Sequence, residues 1–292
     1  MPSPLVRRIR LGYAIRTLRD DLSLTAEAFA KRSQSLTRLD VTRLETAALR
    51  RPDLGKVMAC LEAAGVDEGS ARWHEIVRMA RDGGKKGVWW EKAEFSGISE
   101  RQKRCADVEC GAVTIRHYHN SLIPWMLQTR EYIEARDHAW REEGAQIDPI
   151  QGISRLRRQA EVTGEAGPQI SIVIEEQVIR RPLVDRPVMA RQLRHLAETT
   201  ETNPRIDLRL LPVDAQFGRH STPLMPFDLF TYEDPGDGTA MMIPTINDDV
   251  LVTEAAEVEP YVHLWDRLRD AALSQVDTAA FIAQAAAKLV AR

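Results

Sequence analysis

The chain has 292 residues, of which 43% are hydrophobic and 28% are charged, a composition typical of globular proteins. Its length suits two domains. The three cysteines Cys60, Cys105 and Cys110 argue against a disulfide framework and for a reducing compartment, so we expect a cytoplasmic protein. Neither a long apolar run nor an apolar signal region is present, so the sequence predicts no membrane span and no secretory signal.

Charge is distributed unevenly along the chain. Residues 1–90 contain 17 Lys and Arg against 11 Asp and Glu, whereas residues 91–292 contain 23 against 32. A chain whose first third is basic and whose remaining residues are acidic is expected when one domain binds phosphate groups and the other does not. The basic excess is modest, so we expect tight DNA binding to need two copies of the domain, as in a homodimer.

The first 82 residues predict an all-α domain of five short helices. Two helices joined by a turn are predicted within residues 25–47, and Val41 and Leu44 can face inward from the second of them. Three further helices are indicated by apolar residues at helical spacing, in residues 11–22, 54–61 and 73–80.

The second helix of the central pair, about residues 37–46, has a polar and basic outer face formed by Arg38, Leu39, Thr42 and Arg43. An exposed helix of this kind fits the major groove of double-stranded DNA, where a helix-turn-helix places its second helix. The alternative is any two packed helices with a solvated basic face. The charge distribution favours DNA binding, with this helix as the recognition helix.

A glycine- and lysine-rich segment, Asp82–Gly87, predicts a hinge rather than a phosphate-binding loop, because the phosphate-loop spacing is absent. We therefore expect a DNA-binding domain in residues 1–82, a linker in residues 83–90 and a second domain in residues 91–292. Trp89 and Trp90 are expected to pack the two domains together or to form part of an interface.

The second domain is predicted to be α+β, with a mostly antiparallel or mixed sheet and C-terminal helices. Strands are indicated at residues 112–119, 169–175, 206–212 and 227–232, and more weakly at 240–245 and 249–253. Helices are indicated at residues 125–141, 150–162 and 187–200, and in the tail as two helices over 256–290 joined at Ser274.

No catalytic signature is present, so we expect a protein that is not an enzyme and has no catalytic residue or cofactor. The best metal candidate combines Cys105, Cys110, His117 and His119, but this spacing matches no common zinc finger, and we expect no metal.

Two other groups of polar residues in the second domain are noted. Glu175 and Glu176, at the end of a strand, point to opposite faces and so would not share a substrate; capping of the following turn or pairing with Arg180 or Arg181 is expected instead. Residues 218–220 could bind a ligand or form a surface loop.

The chain carries a series of short motifs in a recognisable order. In the first domain these are Leu11-Gly12, Leu18-Arg19, Leu24-Thr25, Phe29-Ala30 and Val41–Thr46. In the second they are Thr114–Arg116, Ile123–Thr129 with Tyr132, Arg155–Gln159, Glu176, Ile179–Pro182, Met189, Gln192-Leu193, Leu211-Pro212, Gly218 with His220, and Pro226-Phe227. With these motifs the chain resembles the Cro-type, xenobiotic-response-element helix-turn-helix regulators of actinobacteria, which are described as antitoxin-like.

The resemblance implies a cytoplasmic, dimeric transcriptional regulator. Its second domain would engage a small partner protein encoded by a neighbouring gene or a small-molecule effector. Thr25 and Thr37 would cap the two central helices near phosphates, and Arg38 would read bases, since arginine bonds bidentately to guanine. The implied DNA contacts are Thr25, Thr37, Arg38, Leu39, Thr42, Arg43, Arg50 and Arg51.

The sequence departs from this family's pattern at several positions. The turn at residues 32–36 lacks the usual glycine, and Ala47 stands where a glycine commonly ends the recognition helix. Leu39 and Asp40 replace polar or basic residues, although Asp40 can form a capping box with Thr37. Trp125 also replaces a glycine. These departures motivate a second hypothesis, an antitoxin-like protein-interaction module with weakened DNA binding.

Overall fold

In a computed structural model, the structure describes residues 2–84, 88–139, 149–216 and 223–290. The described residues form twelve α-helices and one six-stranded mixed sheet, which confirms the predicted α+β class. Two compact units are present. Unit 1 comprises residues 1–96, 103–112 and 232–238, and unit 2 comprises residues 97–102, 113–231 and 239–292.

Unit 1 begins with five helices around a single apolar core. Side chains from all five helices contribute to this core, including Ile15, Phe29, Val41, Leu61 and Ile76. Burial of these apolar surfaces is the main stabilising contribution. The helices are α1 (Pro4–Asp21), α2 (Ala26–Ala30), α3 (Arg38–Glu45), α4 (Leu54–Ala64) and α5 (Ala71–Gly83).

A polar side chain caps the N-terminus of each of these five helices. Each cap accepts a hydrogen bond from a backbone N–H in the first turn, which has no partner within the helix. The sequence therefore specifies where every one of these helices begins. The caps are Ser3, Thr25, Thr37, Asp53 and Ser70.

Unit 1 is completed by segments from later in the chain. Trp89 and Trp90 are buried, and the Trp89 ring packs edge-on against Trp90 and Phe95 with centroids 5.6 and 4.9 Å away. Two short 3-10 turns, at Trp89–Glu91 and Ala93–Phe95, hold these rings. Residues 103–109 of helix α6 (Glu100–Glu109) and a turn at Pro235–Asp237 follow.

Unit 2 is built on the sheet, whose strand order is β3-β2-β1-β4-β5-β6. Strands β1, β2 and β3 are parallel, with Ile115 beside Ile170 and Ile170 beside Ile206. Strands β4, β5 and β6 are antiparallel hairpins. The strands are β1 (Ala112–His119), β2 (Gln169–Glu175), β3 (Ile206–Leu211), β4 (Phe227–Tyr232), β5 (Thr239–Pro244) and β6 (Asp249–Val252).

Two side-chain contacts fix the direction of β4 against β1. Thr114 contacts Thr231, and His117 contacts Asp228, through their side chains. Residue numbers rise along β1 as they fall along β4, so the two strands are antiparallel. The change from parallel to antiparallel pairing therefore occurs at β1.

Helices cover the sheet and one of its edges. Trp265 of α11 packs with Tyr118, Phe227 and Leu229 in an apolar core. At the edge strand β3, the buried Leu210 N–H donates to the Thr278 hydroxyl (3.0 Å), which satisfies a backbone group at the edge of the sheet. The helices are α7 (Arg130–Ala139), α8 (Pro149–Thr163), α9 (Glu176–Arg180), α10 (Arg186–Thr202), α11 (Ala255–Ala271) and α12 (Gln275–Val290).

The predicted helix over residues 125–141 is wrong in its first turn. Residues 125–127 form a 3-10 turn, and α7 begins only at Arg130, where the Thr129 hydroxyl accepts from the Tyr132 N–H (3.2 Å). Of the other predicted features, residues 85–87 of the linker and residues 218–220 lie outside the described residues. Within the described ranges, no helix has both the length and the apolar character needed to cross a bilayer.

Candidate nucleic-acid interface

The outer face of α3 is exposed, while its inner face is buried in unit 1. Val41 and Leu44 are 0% and 3% exposed, whereas Leu39 is 54% exposed. Thr37, Arg38, Thr42 and Arg43 are also exposed. Within the described ranges, no hydrogen bond or ion pair to protein involves the guanidinium of Arg38 or Arg43, and both are free to meet an external acceptor.

A capping box fixes the first turn of α3. The Thr37 N–H donates to Asp40 Oδ2 (2.9 Å), and the Asp40 N–H donates to the Thr37 hydroxyl (3.2 Å). Asp40 also lies 3.1 Å from the Lys56 ammonium of α4. The Thr37 hydrogen bonds and Lys56 hold the pKa of Asp40 below its usual range. Its charge is thus engaged within the protein and partly compensated at this surface.

The C-terminal end of α3 adopts a Schellman motif with an unusual residue. The Ala48 N–H donates to the Arg43 carbonyl (3.0 Å), and the Ala47 N–H donates to the Leu44 carbonyl (3.1 Å). Ala47 lies in the left-handed region with φ 51°. Left-handed backbone costs a residue with a Cβ about 1–2 kcal/mol, so this end of the helix carries strain that glycine would avoid.

Helix α1 fixes the position of α3 by close approach and by an ion pair. A Cβ built on Gly12 would lie 2.6 Å from the Glu45 carbonyl oxygen, so only glycine permits this approach of the two backbones. The Arg19 guanidinium binds the Glu45 carboxylate at two points, 2.6 and 3.0 Å. These contacts explain why the sequence motifs contain Gly12, Arg19 and Glu45. The three residues fix the orientation of α3 relative to α1, and so the direction of its outer face.

The remaining predicted contacts are engaged to different degrees. Thr25 is a helix cap, accepting from the Ala28 N–H at 3.2 Å. The Thr42 hydroxyl donates to the Arg38 carbonyl (3.0 Å). Arg50 and Arg51 are exposed but lie 3.9 and 3.0 Å from the Glu91 carboxylate, so a phosphate at either residue would compete with this carboxylate.

Three arginines at the start of α1 face carboxylates from distant parts of the chain. Arg7 is almost fully buried, and its guanidinium lies 2.7 Å from Asp234. These arginines cannot bind phosphate, so the basic excess of residues 1–90 overstates the positive charge available at the surface. The other pairs are Arg8 with Asp107 at 3.0 Å, and Arg10 with Asp237.

The other sequence candidates have ordinary structural partners. Glu176 pairs with Arg180 and accepts from the Val213 N–H (3.0 Å), in line with the predicted pairing. The Glu175 carboxylate accepts from the Tyr118 hydroxyl at 2.7 Å. No group of three or more histidine, cysteine or acidic side chains in the described part of the chain could hold a metal ion.

Several motif residues of unit 2 converge on the segment of residues 123–129. Gln192 donates to the Leu127 carbonyl (2.8 Å) and accepts from the Thr129 N–H (2.7 Å). Gln159 donates to the Met126 and Gln128 carbonyls at 2.8 and 2.9 Å. These side-chain amides form hydrogen bonds with backbone groups of a segment that is neither α-helix nor strand. They therefore fix the path of the chain between the end of β1 and the start of α7.

Comparison with known proteins identifies one family. A model described as a domain of unknown function, DUF5753, matches residues 102–284, which is more than half of the chain. No curated protein matches. No solved structure matches either. Because the match includes the whole of the sheet and most of the helices around it, this chain belongs to the DUF5753 domain family.

Proposed function

We propose that this protein is a sequence-specific DNA-binding transcriptional regulator of the Cro-type helix-turn-helix class. The α2–α3 pair is its helix-turn-helix, and α3 is the recognition helix in the major groove. The observation that carries the proposal is the outer face of α3, a helix capped at both ends, where Arg38 and Arg43 are exposed and have no hydrogen-bond or ion-pair partner among the described residues. Arginine in this setting bonds bidentately to guanine.

The groups around α3 serve this function by positioning it. Gly12 and the Arg19–Glu45 ion pair hold α3 against α1, and the Thr37–Asp40 capping box orders the end that meets base edges first. Leu39 is exposed where an apolar side chain can contact a thymine methyl group. A homodimer would present two such helices to half-sites about one turn of DNA apart.

The test is binding to the protein's own promoter region and to an unrelated duplex at two salt concentrations. We expect wild type to prefer the promoter at both, because base contacts persist when phosphate attraction is screened. The double variant Arg38→Ala, Arg43→Ala should lose promoter affinity by roughly 30-fold or more, since each bidentate contact contributes about 1–3 kcal/mol. Its thermal stability should be unchanged, because neither guanidinium has a partner in the part of the chain that the structure describes.

Arg72→Ala is the matched control, since Arg72 is an exposed arginine of α5 whose nearest carboxylate, Asp21, is 3.9 Å away. It should leave promoter preference intact. Unchanged promoter affinity in the folded double variant would reject α3 as the recognition helix.

A second candidate function is an antitoxin-like module that binds the small product of a neighbouring gene and has weakened DNA binding. Two observations favour it. The Glu91 carboxylate pairs with Arg50 and Arg51, two of the residues expected to contact DNA. Asp40 also brings a negative charge to the first turn of α3. It predicts equal binding to both duplexes that disappears at the higher salt concentration, together with tight binding to the partner protein.

A further inference from the structure

Two histidines lie side by side at the carboxyl end of β1. His117 and His119 are two residues apart on the strand, so they share a face, and their ring centroids are 5.6 Å apart. His117 Nδ1 contacts the Asp228 carboxylate of β4. His117 Nε2 is buried and has no hydrogen-bond partner among the described residues.

His119 is a neutral donor. Its Nδ1 accepts from the Ser121 N–H (3.2 Å) and the Leu122 N–H (3.1 Å), so its proton is on Nε2. Burial, together with nearby His117 and Arg136, lowers the pKa of His119 to about 3. The ring therefore stays neutral at physiological pH and presents a single N–H.

Helix α7 carries a hydroxyl and a cation one turn apart on one side, at Tyr132 and Arg136. Tyr132 is fully buried, and its hydroxyl has no partner in the described part of the chain. Arg136 is one turn further along α7 and acts electrostatically on both Tyr132 and His119. The neighbouring acid, Asp137, is bound by Arg155 at 2.8 and 2.9 Å. Burial lowers the pKa of Arg136, and Asp137 offsets this effect only in part.

The His119 Nε2–H, the Tyr132 hydroxyl and the Arg136 guanidinium can each donate a hydrogen bond, and the last is a cation. Within the described residues the Tyr132 hydroxyl has no partner, and burial disfavours the charge of Arg136, so both are unfavourable unless something satisfies them. A group with several acceptor oxygens and a negative charge satisfies all three at once. In open sheets, ligands bind beyond the carboxyl ends of strands where the topology changes, which here is β1.

We propose that His119, Tyr132 and Arg136 bind one small anion, the carboxylate or phosphate group of a small molecule, beside His117 at the carboxyl end of β1. This assignment does not depend on DNA binding. It names the chemistry that a small-molecule signal must carry to be recognised by unit 2.

The test uses the full-length protein with inorganic phosphate and, separately, acetate as probes, at constant ionic strength against chloride. Calorimetry measures affinity, thermal unfolding measures stabilisation, and the ring-nitrogen NMR signals of His119 report where the anion lies. We expect saturable binding of at least one probe, with a shift of the His119 Nε2 signal. The probe that binds more tightly distinguishes a phosphate site from a carboxylate site.

Two variants test the residues, with a control on the same helix. Arg136→Gln should weaken binding about tenfold or more. Tyr132→Phe should also weaken binding, but leave the unfolding temperature without ligand unchanged or higher, because among the described residues its hydroxyl has no partner to lose. Arg130→Gln should change neither, since Arg130 is exposed on α7 and its ion pair with Glu134 lies at the surface.

Either of two results would overturn the proposal. One is the absence of saturable binding of both anions at millimolar concentrations. The other is equal binding by wild type, Arg136→Gln and Tyr132→Phe. A fall in stability of Tyr132→Phe without ligand would also contradict it, because that outcome assigns the hydroxyl a purely structural role.

Discussion

Replacing Gly12 with alanine tests whether close approach of α1 positions the outer face of α3. The added Cβ would lie 2.6 Å from the Glu45 carbonyl oxygen and 2.9 Å from that of Leu44. Both contacts are with backbone, so relief requires one helix to shift. Overpacking of this kind costs about 1–3 kcal/mol, and the gain in helix propensity from glycine to alanine offsets about 1 kcal/mol of it.

Because both clashing atoms belong to the backbone, the cost lies in the upper part of that range, about 2–3 kcal/mol. The expected net loss is then about 1–2 kcal/mol, which lowers the unfolding temperature by roughly 4–16 °C for a unit of this size. The assays are calorimetric unfolding and promoter binding, and we expect both to be impaired because α3 shifts with its C-terminal carbonyls. Gly152→Ala is the matched control: Gly152 lies within α8, and a Cβ there meets nothing within 4 Å. It should stabilise the protein by about 1 kcal/mol. Equal stabilisation by both alanines would refute the reasoning.

Two further substitutions follow from the backbone and ion pairs of unit 1. Ala47→Gly should raise stability by about 1 kcal/mol or less, because relief of the left-handed strain is partly offset by the greater freedom of glycine in the unfolded chain; lower stability in thermal unfolding would contradict the strain argument. Arg7 holds the pKa of Asp234 below its usual range, so the ionised carboxylate stabilises the fold above the ordinary Asp pKa of about 3.9, and this contribution is lost as pH falls. Asp234→Asn should therefore cost about 1 kcal/mol at pH 7 and nothing at strongly acidic pH; a pH-independent difference in denaturant unfolding would exclude this origin.

The elements that the sequence predicts best are those with local signals. Helix α3 has a cap, an inward apolar pair and an exposed opposite face, all within ten residues. Helix α6 has no such signal, because Asp107 and Glu109 are buried in it. Asp107 is tolerated there through Arg8, although burial raises the pKa of that carboxyl. A prediction from hydropathy places such charged residues at the surface, and it therefore misses the helix.

The polar residues of unit 2 on which the anion-site proposal rests, His117, His119, Tyr132, Arg136 and Asp228, could be predicted only in part from the sequence. That His117 and His119 share a face follows from strand geometry alone. Their partners do not: Asp228 is 111 residues from His117 in the chain, and Arg136 belongs to a helix whose start depends on glutamines from two other helices. Spacing suggested metal ligands because cysteines lay nearby, whereas the structure gives the histidine nitrogens a carboxylate and backbone amides. Long-range pairing of this kind leaves no pattern in a local window of sequence.

The assembly of unit 1 from separate stretches of the chain has a consequence during protein synthesis. Arg7 leaves the ribosome early, but its partner Asp234 is 227 residues later in the chain. At the usual rate of about 5–20 residues per second, this interval lasts roughly 10–45 s. Until then, the nascent N-terminal helices lack the carboxylate that Arg7 faces in the finished unit. A prematurely terminated product would therefore present α3 on an incomplete unit 1.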